Sequence, residues 1–270
     1  MAFDGFFSAL GAVIPALFLV AGVYIYVALA RQISARTVEP SPTPTREFGW
    51  PEATLATLLA AWFLLNVVVS ASDNTRDIGS RDLLANALFT IGLLLFIAAF
   101  LRLRRLDMNL LGGFSKIGFG RTVATGGMLL LAAYPLVLLA DFMTRKLSRN
   151  VLDKQGIVEL FNASSSLEER ILIILLAVTV APLAEEFFFR FFLYGVVKRY
   201  FGRGIGVLAN ALLFAAVHAH LPSLAPLFVL GICFTIAYEW SGSILVSMTM
   251  HALFNALALI ALAFPEVISQ

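Results

Sequence analysis

Three short polar motifs lie inside apolar stretches in the last third of the chain. Their members are Glu185, Glu186 and Arg190, then Phe214 and His218, and finally His251 and Asn255. An ionised side chain in the interior of a bilayer costs several kcal/mol, so polar residues in such segments usually serve a function. Carboxylate, imidazole and amide groups can act as the base, the water-orienting group and the oxyanion donor of a hydrolytic site. The motifs therefore indicate a hydrolytic site within a membrane.

Helical geometry divides the first motif into a pair and a single acid. On a helix, Glu186 and Arg190 are i,i+4 neighbours on one face, where they can neutralise each other in a low-dielectric setting. Glu185 lies about 100° round the helix and points elsewhere. The spacing predicts a structural ion pair and leaves Glu185 free for chemistry. The competing interpretation is that both acids only cap or join helices at the membrane interface.

The two histidine motifs are weak signals when each is taken alone. His218 follows Phe214 by one helical turn near the end of a predicted span, where a histidine more often packs than reacts. His220 faces away from His218 and is interpreted as interfacial. His251 and Asn255 form an i,i+4 pair that hydrogen bonding between helices would also explain. Together, the three motifs offer candidate groups on different predicted helices around one scissile carbonyl.

The composition is that of a membrane protein. Of the 270 residues, 60% are hydrophobic and only 13% are charged, whereas soluble domains have roughly 25% charged residues. A net charge of +2 is too small and too dispersed to suggest nucleic-acid binding. Cys233 is the single cysteine of the sequence, which excludes an intrachain disulfide and a multi-cysteine metal site.

Eight apolar stretches approach the length of about 20 residues that a membrane-spanning helix needs. They lie at roughly 6–30, 53–71, 83–101, 122–142, 171–190, 204–219, 222–239 and 242–263. The last four are crowded and interrupted by polar residues, as expected for helices that face one another. The first contains Asp4 and no Lys or Arg before Arg31, which argues against a cleavable signal peptide. The predicted fold class is an all-α, polytopic transmembrane helical bundle of about eight spans.

The distribution of Lys and Arg predicts the orientation in the membrane. The connections at 31–46, 102–121 and 190–203 lie on one side and hold 12 of the 19 Lys and Arg residues, while the other side holds 7. This bias favours both termini outside. It also places Arg190 and the acid pair near the cytoplasmic end of the fifth predicted span.

The order of the motifs carries a family resemblance. EExxxR, then FxxxH, then HxxxN resembles the prokaryotic CPBP (Abi) intramembrane proteases, which are relatives of the eukaryotic Rce1 CAAX-processing endopeptidase. APLAEEFFFRFFLYG is similar to the first motif of that family, and YEWSGSILVSMTMHALFNAL to the last. Phe191 departs from the pattern, since many relatives have glycine there. The resemblance implies a catalytic helical core over residues 168–265, preceded at 1–167 by a transmembrane region of about four spans with loops.

The resemblance also implies roles for single residues. Glu185 would be the base that activates water, and His218 would help to hold that water. His251 and Asn255 would polarise the carbonyl and stabilise the oxyanion. Glu186, Arg190 and Phe214 would support the site.

A zinc ion is an alternative that the sequence leaves open. Glu185, His218 and His251 form a two-histidine, one-carboxylate set of the kind found in catalytic zinc sites. No HExxH pattern is present. The metal-free interpretation is favoured because Asn255 and the Glu186–Arg190 pair then each have a role, so no cofactor is expected.

The predicted function is a membrane-embedded, CAAX-protease-like endopeptidase that hydrolyses a peptide bond near the cytoplasmic side of the bilayer. Its partners would be the lipid bilayer and a peptide or protein substrate with a lipid-modified segment in some cases, and no nucleic acid. The expected location is a prokaryotic inner membrane. The alternatives are a non-enzymatic membrane immunity or transport protein that uses the buried charges to bind a ligand, and a pseudoenzyme.

Overall fold

The structure is a computed structural model that describes residues 2–36, 47–72, 80–147, 161 and 166–264. Every regular element in these ranges is helical, which confirms the predicted fold class. In chain order the elements are α1 (Ala2–Ala35), α2 (Trp50–Ser72), α3 (Ser80–Leu103), α4 (Met108–Gly112), α5 (Phe119–Leu147), α6 (Leu167–Leu175), the π-helical segment π1 (Leu176–Val180), α7 (Ala181–Glu186), the π-helical segment π2 (Phe187–Leu193), α8 (Tyr194–Val217), a 3₁₀ turn (Leu221–Ser223), α9 (Leu224–Ser241) and α10 (Ile244–Ala263).

Seven helical stretches of the described chain are long and apolar enough to cross a membrane. A helix satisfies its backbone N–H and C=O groups internally, as hydrocarbon requires. Large apolar side chains on the outer faces of α1, α2 and α3 are exposed, among them Leu17, Leu65 and Leu95. Lipid would cover these surfaces, so the chain is an integral, multi-pass membrane protein.

The longest stretch, Leu167–Val217, contains 51 residues and includes predicted spans five and six. A straight helix of that length would measure about 75 Å, more than twice the hydrocarbon thickness. The chain instead reverses at Gly202, whose φ of 82° and ψ of 169° are not helical. The reversal brings the rings of Phe189 and Phe214 to a centroid distance of 5.4 Å. The stretch is a helical hairpin that passes twice through the bundle, so seven stretches agree with about eight spans.

The hairpin corrects the predicted position of the acid pair. Span five was expected to end at Arg190, close to the membrane surface, but the helix continues through π2 and α8 to the turn at Gly202. Arg190 therefore lies about 18 Å of helix rise away from that turn. Both Glu186 and Arg190 are fully buried. Lys198 and Arg199 were predicted to lie in a connection between two spans, whereas in the structure they belong to helix α8.

Helices α5, α9 and α10 pack closely against one another, and small residues allow the approach. A methyl group added at Gly126 of α5 would lie only 2.9 Å from Cβ of Thr249 on α10. At Gly231 of α9, an added methyl would lie 3.1 Å from Cα of Ala211 on α8. These contacts hold the C-terminal helices and α5 in one bundle, with the phenylalanines of π2 in its core.

The bundle has two ends, which are named after Gly202 and His218. The Gly202 end holds the turn of the hairpin, the last residues of α1, α3 and α9, and the first residues of α2, α5 and α10. Arg36, after α1, bonds to the carbonyl groups of Glu239 and Trp240 there. The His218 end holds the last residues of α5, α8 and α10 and the first residues of α6 and α9.

The hairpin predicts which positions share a side of the membrane. The variants Leu103→Cys and Phe201→Cys should react with an impermeant maleimide from one side, and Leu147→Cys and Leu221→Cys from the other. All four native side chains are exposed, and the native Cys233 is buried, so the wild type serves as the unlabelled control. Labelling of Phe201→Cys and Leu221→Cys from the same side would rule out the reversal at Gly202.

Candidate active site

A buried ion pair lies beneath the site. Arg190 Nη1 lies 2.9 Å from Glu186 Oε1, and neither side chain has any exposed surface. The guanidinium carbon of Arg190 lies 4.1 Å from the ring centroid of Phe214 and 5.1 Å from that of Phe234. These rings favour the cation through their π faces while they exclude water. The i,i+4 spacing read from the sequence thus corresponds to a paired charge inside the core.

His251 is held by the same carboxylate. Its Nδ1 lies 2.9 Å from Glu186 Oε1, and because a carboxylate only accepts, the imidazole donates its Nδ1–H. The ring is almost fully buried and packs against Phe234 at a centroid distance of 5.1 Å. Nδ1 is thereby engaged, and Nε2 faces Glu185, 3.8 Å from Oε2.

His218 is oriented by the backbone of its own helix. Its Nδ1 lies 2.7 Å from the carbonyl oxygen of Phe214 and therefore donates to it. The Phe214 ring also contacts the His218 ring edge to face, at a centroid distance of 4.9 Å. This fixes the imidazole so that Nε2 faces Glu185, 3.9 Å from Oε2. Phe214 thus supports both Arg190 and His218.

Glu185 points into the space between the two imidazoles. About a quarter of its side chain is exposed, in contrast to Glu186 beside it. Its distances of 3.8 and 3.9 Å to His251 and His218 are too long for direct hydrogen bonds and short enough for one bridging water. Oε2 of Glu185 has no hydrogen-bond partner among the described side chains. The structure therefore brings Glu185, His218 and His251 together.

Asn255 lies on the wall of the same space but makes a structural bond. Its Nδ2 donates to the carbonyl oxygen of Ala177 over 2.8 Å. Ala177 belongs to π1, which with π2 flanks the short helix of the two acids. Interruptions of this kind frequently occur at functional sites. An amide carries two N–H groups, so the bond to Ala177 leaves Asn255 a second donor.

These residues line a cavity of about 470 Å³. The predicted residues on its wall are Glu185, Phe214, His218, His251 and Asn255, while Glu186 and Arg190 lie behind it. Helix α5 contributes further polar residues that the sequence analysis missed, namely Tyr134, Asp141 and Arg145. For Asp141 and Arg145 the sequence signal was their i,i+4 spacing at the end of predicted span four. In the structure Arg145 Nε lies 2.8 Å from Asp141 Oδ2.

The cavity extends toward the His218 end of the bundle. Its lining there includes Asp141 and Arg145 near the end of α5, Ser223 before α9 and Leu262 near the end of α10. The Lys- and Arg-rich connections lie at the Gly202 end, which the charge distribution assigns to the cytoplasm. If the Gly202 end is cytoplasmic, the cavity extends toward the opposite side of the membrane. The site then cannot open toward the cytoplasm. One of these two sequence predictions is therefore wrong.

Glu185, His218 and His251 meet only some of the requirements of a zinc site. Both imidazoles donate Nδ1–H to an oxygen, as zinc-bound histidines do. Two ligands of a tetrahedral zinc ion lie about 3.4 Å apart at the usual bond lengths. The separations at Glu185 are wider, and no three His, Cys, Asp or Glu residues of the described chain are grouped to hold a metal ion. This arrangement does not fit a zinc site.

Comparison with known families addresses the last third of the chain. Residues 167–257 match the family model described as type II CAAX prenyl endopeptidase Rce1-like. This segment is therefore similar to the Rce1-like family. It contains all three motifs, so the resemblance read from them is confirmed over this range, and it supports a CAAX-protease-like function in the membrane. No curated protein and no solved structure matches the chain.

The buried pair predicts a large loss of stability for Glu186→Gln. The change leaves Arg190 without a counter-charge in the core, which costs about 3–5 kcal/mol, or roughly 10 °C in melting temperature. Thermal unfolding of the purified protein in detergent measures this. Glu47→Gln is the matched control, because the Glu47–Arg199 pair is exposed and should contribute about 0–1 kcal/mol. Equal melting temperatures for the two variants would contradict the structural role of Glu186.

Proposed function

We propose that the protein is an intramembrane endopeptidase that hydrolyses a peptide bond with water activated by Glu185. The convergence of Glu185 Oε2 with Nε2 of His218 and Nε2 of His251, at 3.9 and 3.8 Å, is the observation that supports this most directly. One carboxylate and two oriented imidazoles on the wall of one cavity suit general-base catalysis.

The first step is the attack of water on the scissile carbonyl. Glu185 takes one proton as the water oxygen bonds to the carbonyl carbon, and the imidazole of His218 orients the water through Nε2. The carbonyl π electrons move onto oxygen and give a tetrahedral oxyanion. In the second step the C–N bond breaks, and the proton held by Glu185 passes to the leaving amine. No covalent enzyme intermediate is formed.

His251 and Asn255 stabilise the oxyanion in this proposal. An imidazole whose Nδ1–H is bound to Glu186 can donate from Nε2 only in its cationic form, and the adjacent carboxylate stabilises that cation. This is the role that a buried acid has beside a catalytic histidine. The second N–H of Asn255 is the other donor. Such donors act most strongly in a site from which water is excluded.

The surroundings of the catalytic cavity favour a peptide substrate that carries a lipid chain. A second, almost wholly apolar groove of about 490 Å³ lies between α1 and α5. Tyr134 and Leu138 line both this groove and the catalytic cavity. A lipid chain seated between Phe18 and Phe142 would therefore lie beside the peptide segment that reaches Glu185.

Glu185→Gln should abolish cleavage and leave the fold intact. Glutamine keeps the shape of the side chain but cannot accept the proton from water, so kcat should fall by about 10²–10⁴. The measurement uses a fluorogenic peptide with and without a prenyl chain, and the lipidated form should have the lower KM.

The melting temperature of Glu185→Gln should stay near that of the wild type, in contrast to Glu186→Gln. A metal chelator should leave wild-type cleavage unchanged. Equal cleavage by Glu185→Gln and wild type would contradict the assignment of the base, whereas a wild type that does not cleave would favour a non-enzymatic binding protein.

Asn255→Ala should lower kcat by about 10²–10³ with little change in KM, since an oxyanion donor acts mainly in the transition state. Asn210→Ala is the matched control, because Asn210 Nδ2 donates to Thr235 Oγ1 between α8 and α9, away from the cavity. The control should lose thermal stability and keep its kcat. If Asn255→Ala behaved like the control, the bond to Ala177 would be its whole role.

A further inference from the structure

A second polar cavity, of about 270 Å³, lies at the Gly202 end of the bundle. Its charged lining comes from four different parts of the chain. The cations are Arg36, Lys116, Lys198 and Arg203, and the acid is Glu239. Four positive charges and one negative charge leave a surplus of three. The hydrolytic site described above does not use any of these residues.

The single carboxylate is already occupied by two of the cations. Glu239 is nearly buried and forms an ion pair with Lys198, and its Oε2 lies 3.4 Å from Arg203 Nε. Arg203 also donates to the carbonyl oxygen of Ile33 over 2.9 Å. Lys198 and Arg203 therefore share one negative charge, which neutralises only one of them.

The other two cations have no carboxylate partner among the residues that the structure describes. Arg36 donates to the carbonyl oxygens of Glu239 and Trp240 over 3.1 and 2.7 Å, so the last turn of α9 positions its guanidinium without a full counter-charge. Lys116 follows α4 and lines the cavity near Gly242, and its ammonium makes no hydrogen bond or ion pair with the described residues. The arrangement leaves the cavity open to an anion.

The position of the cavity identifies the source of that anion. Aromatic side chains lie at the same end on the outside of the bundle, where Trp50 is 78% exposed and its ring lies 5.5 Å from that of Tyr200, tilted by 44°. Phe119 at the start of α5 is 84% exposed. Such aromatic residues mark the level of the lipid headgroups. Basic pockets between helices at this level suit anionic headgroups.

We propose that the cavity lined by Arg36, Lys116, Lys198 and Arg203 binds the phosphate group of an anionic phospholipid headgroup. The phosphate lies between Lys116 and Arg36, and the charge of Glu239 in the same cavity is neutralised by Lys198 and Arg203. The lipid thereby joins the end of α1, the segment after α4 and the end of α9.

Lipid titration of the purified, delipidated full-length chain tests the proposal, with native mass spectrometry and melting temperature as readouts. The probes are dioleoylphosphatidylglycerol, the zwitterionic dioleoylphosphatidylcholine and inorganic phosphate. The anionic lipid should bind at least about tenfold more tightly than the zwitterionic lipid. Each unit of charge removed should weaken its binding by about fivefold, so Lys116→Gln loses about fivefold and Lys116→Glu about 25-fold.

Arg121→Gln is the matched control, since Arg121 is an exposed cation at the same end that does not line the cavity. It should change the affinity for phosphatidylglycerol by less than about twofold. The Lys116 ammonium has no partner to lose within the described ranges, so its variants should keep the wild-type melting temperature without lipid. Equal affinity of Lys116→Glu and wild type would overturn the proposal. If inorganic phosphate stabilised the protein as much as phosphatidylglycerol does, the assignment of the bound anion to a lipid headgroup would be wrong.

Discussion

The carboxylate of Glu186 is shared between Arg190 and His251, deep in a bundle whose core is mainly apolar. A lone charge there would be prohibitively costly, so the helix that carries the acid and the helix that carries the histidine have to stay in register. The remaining contacts depend on that register. Phe214 covers the guanidinium with its ring and orients His218 with its carbonyl group. The geometry around Glu185 is therefore a consequence of where Glu186 finds its partners.

Much of this arrangement could be predicted because the relevant rules are local. The i,i+4 spacing of Glu186 and Arg190 defines a pair on any helix. Two adjacent acids on a helix cannot share one direction, so the division between a buried and an open glutamate follows from backbone geometry. The number and type of the elements follow from the lengths of the apolar stretches, since the membrane permits little else.

The remaining features depend on contacts between distant parts of the chain. The hydrogen bond from Asn255 to Ala177 uses a carbonyl group of a π-helical segment, and no residue type predicts such a segment. The contribution of α5 to the cavity wall depends on close packing at Gly126, which is one glycine among 19 in the sequence. A reversal between residues 190 and 203 was predicted, but its position at Gly202 was not, because helix-compatible residues continue on both sides of it. Charge counting treated Arg190 as a loop residue, although it is buried.

The hairpin also sets an order of events during synthesis. Glu185, Glu186, Arg190 and His218 all belong to one pair of neighbouring arms that leaves the ribosome as a unit. Glu186 and Arg190 can enter the bilayer already paired, which avoids the insertion of a bare charge. His251 is supplied by the last helix and emerges only after the other groups are in place. Until α10 docks onto Glu186, the newly made chain lacks His251 and Asn255, so under the proposed mechanism a partly synthesised protein has no oxyanion donors with which to attack its neighbours in the membrane.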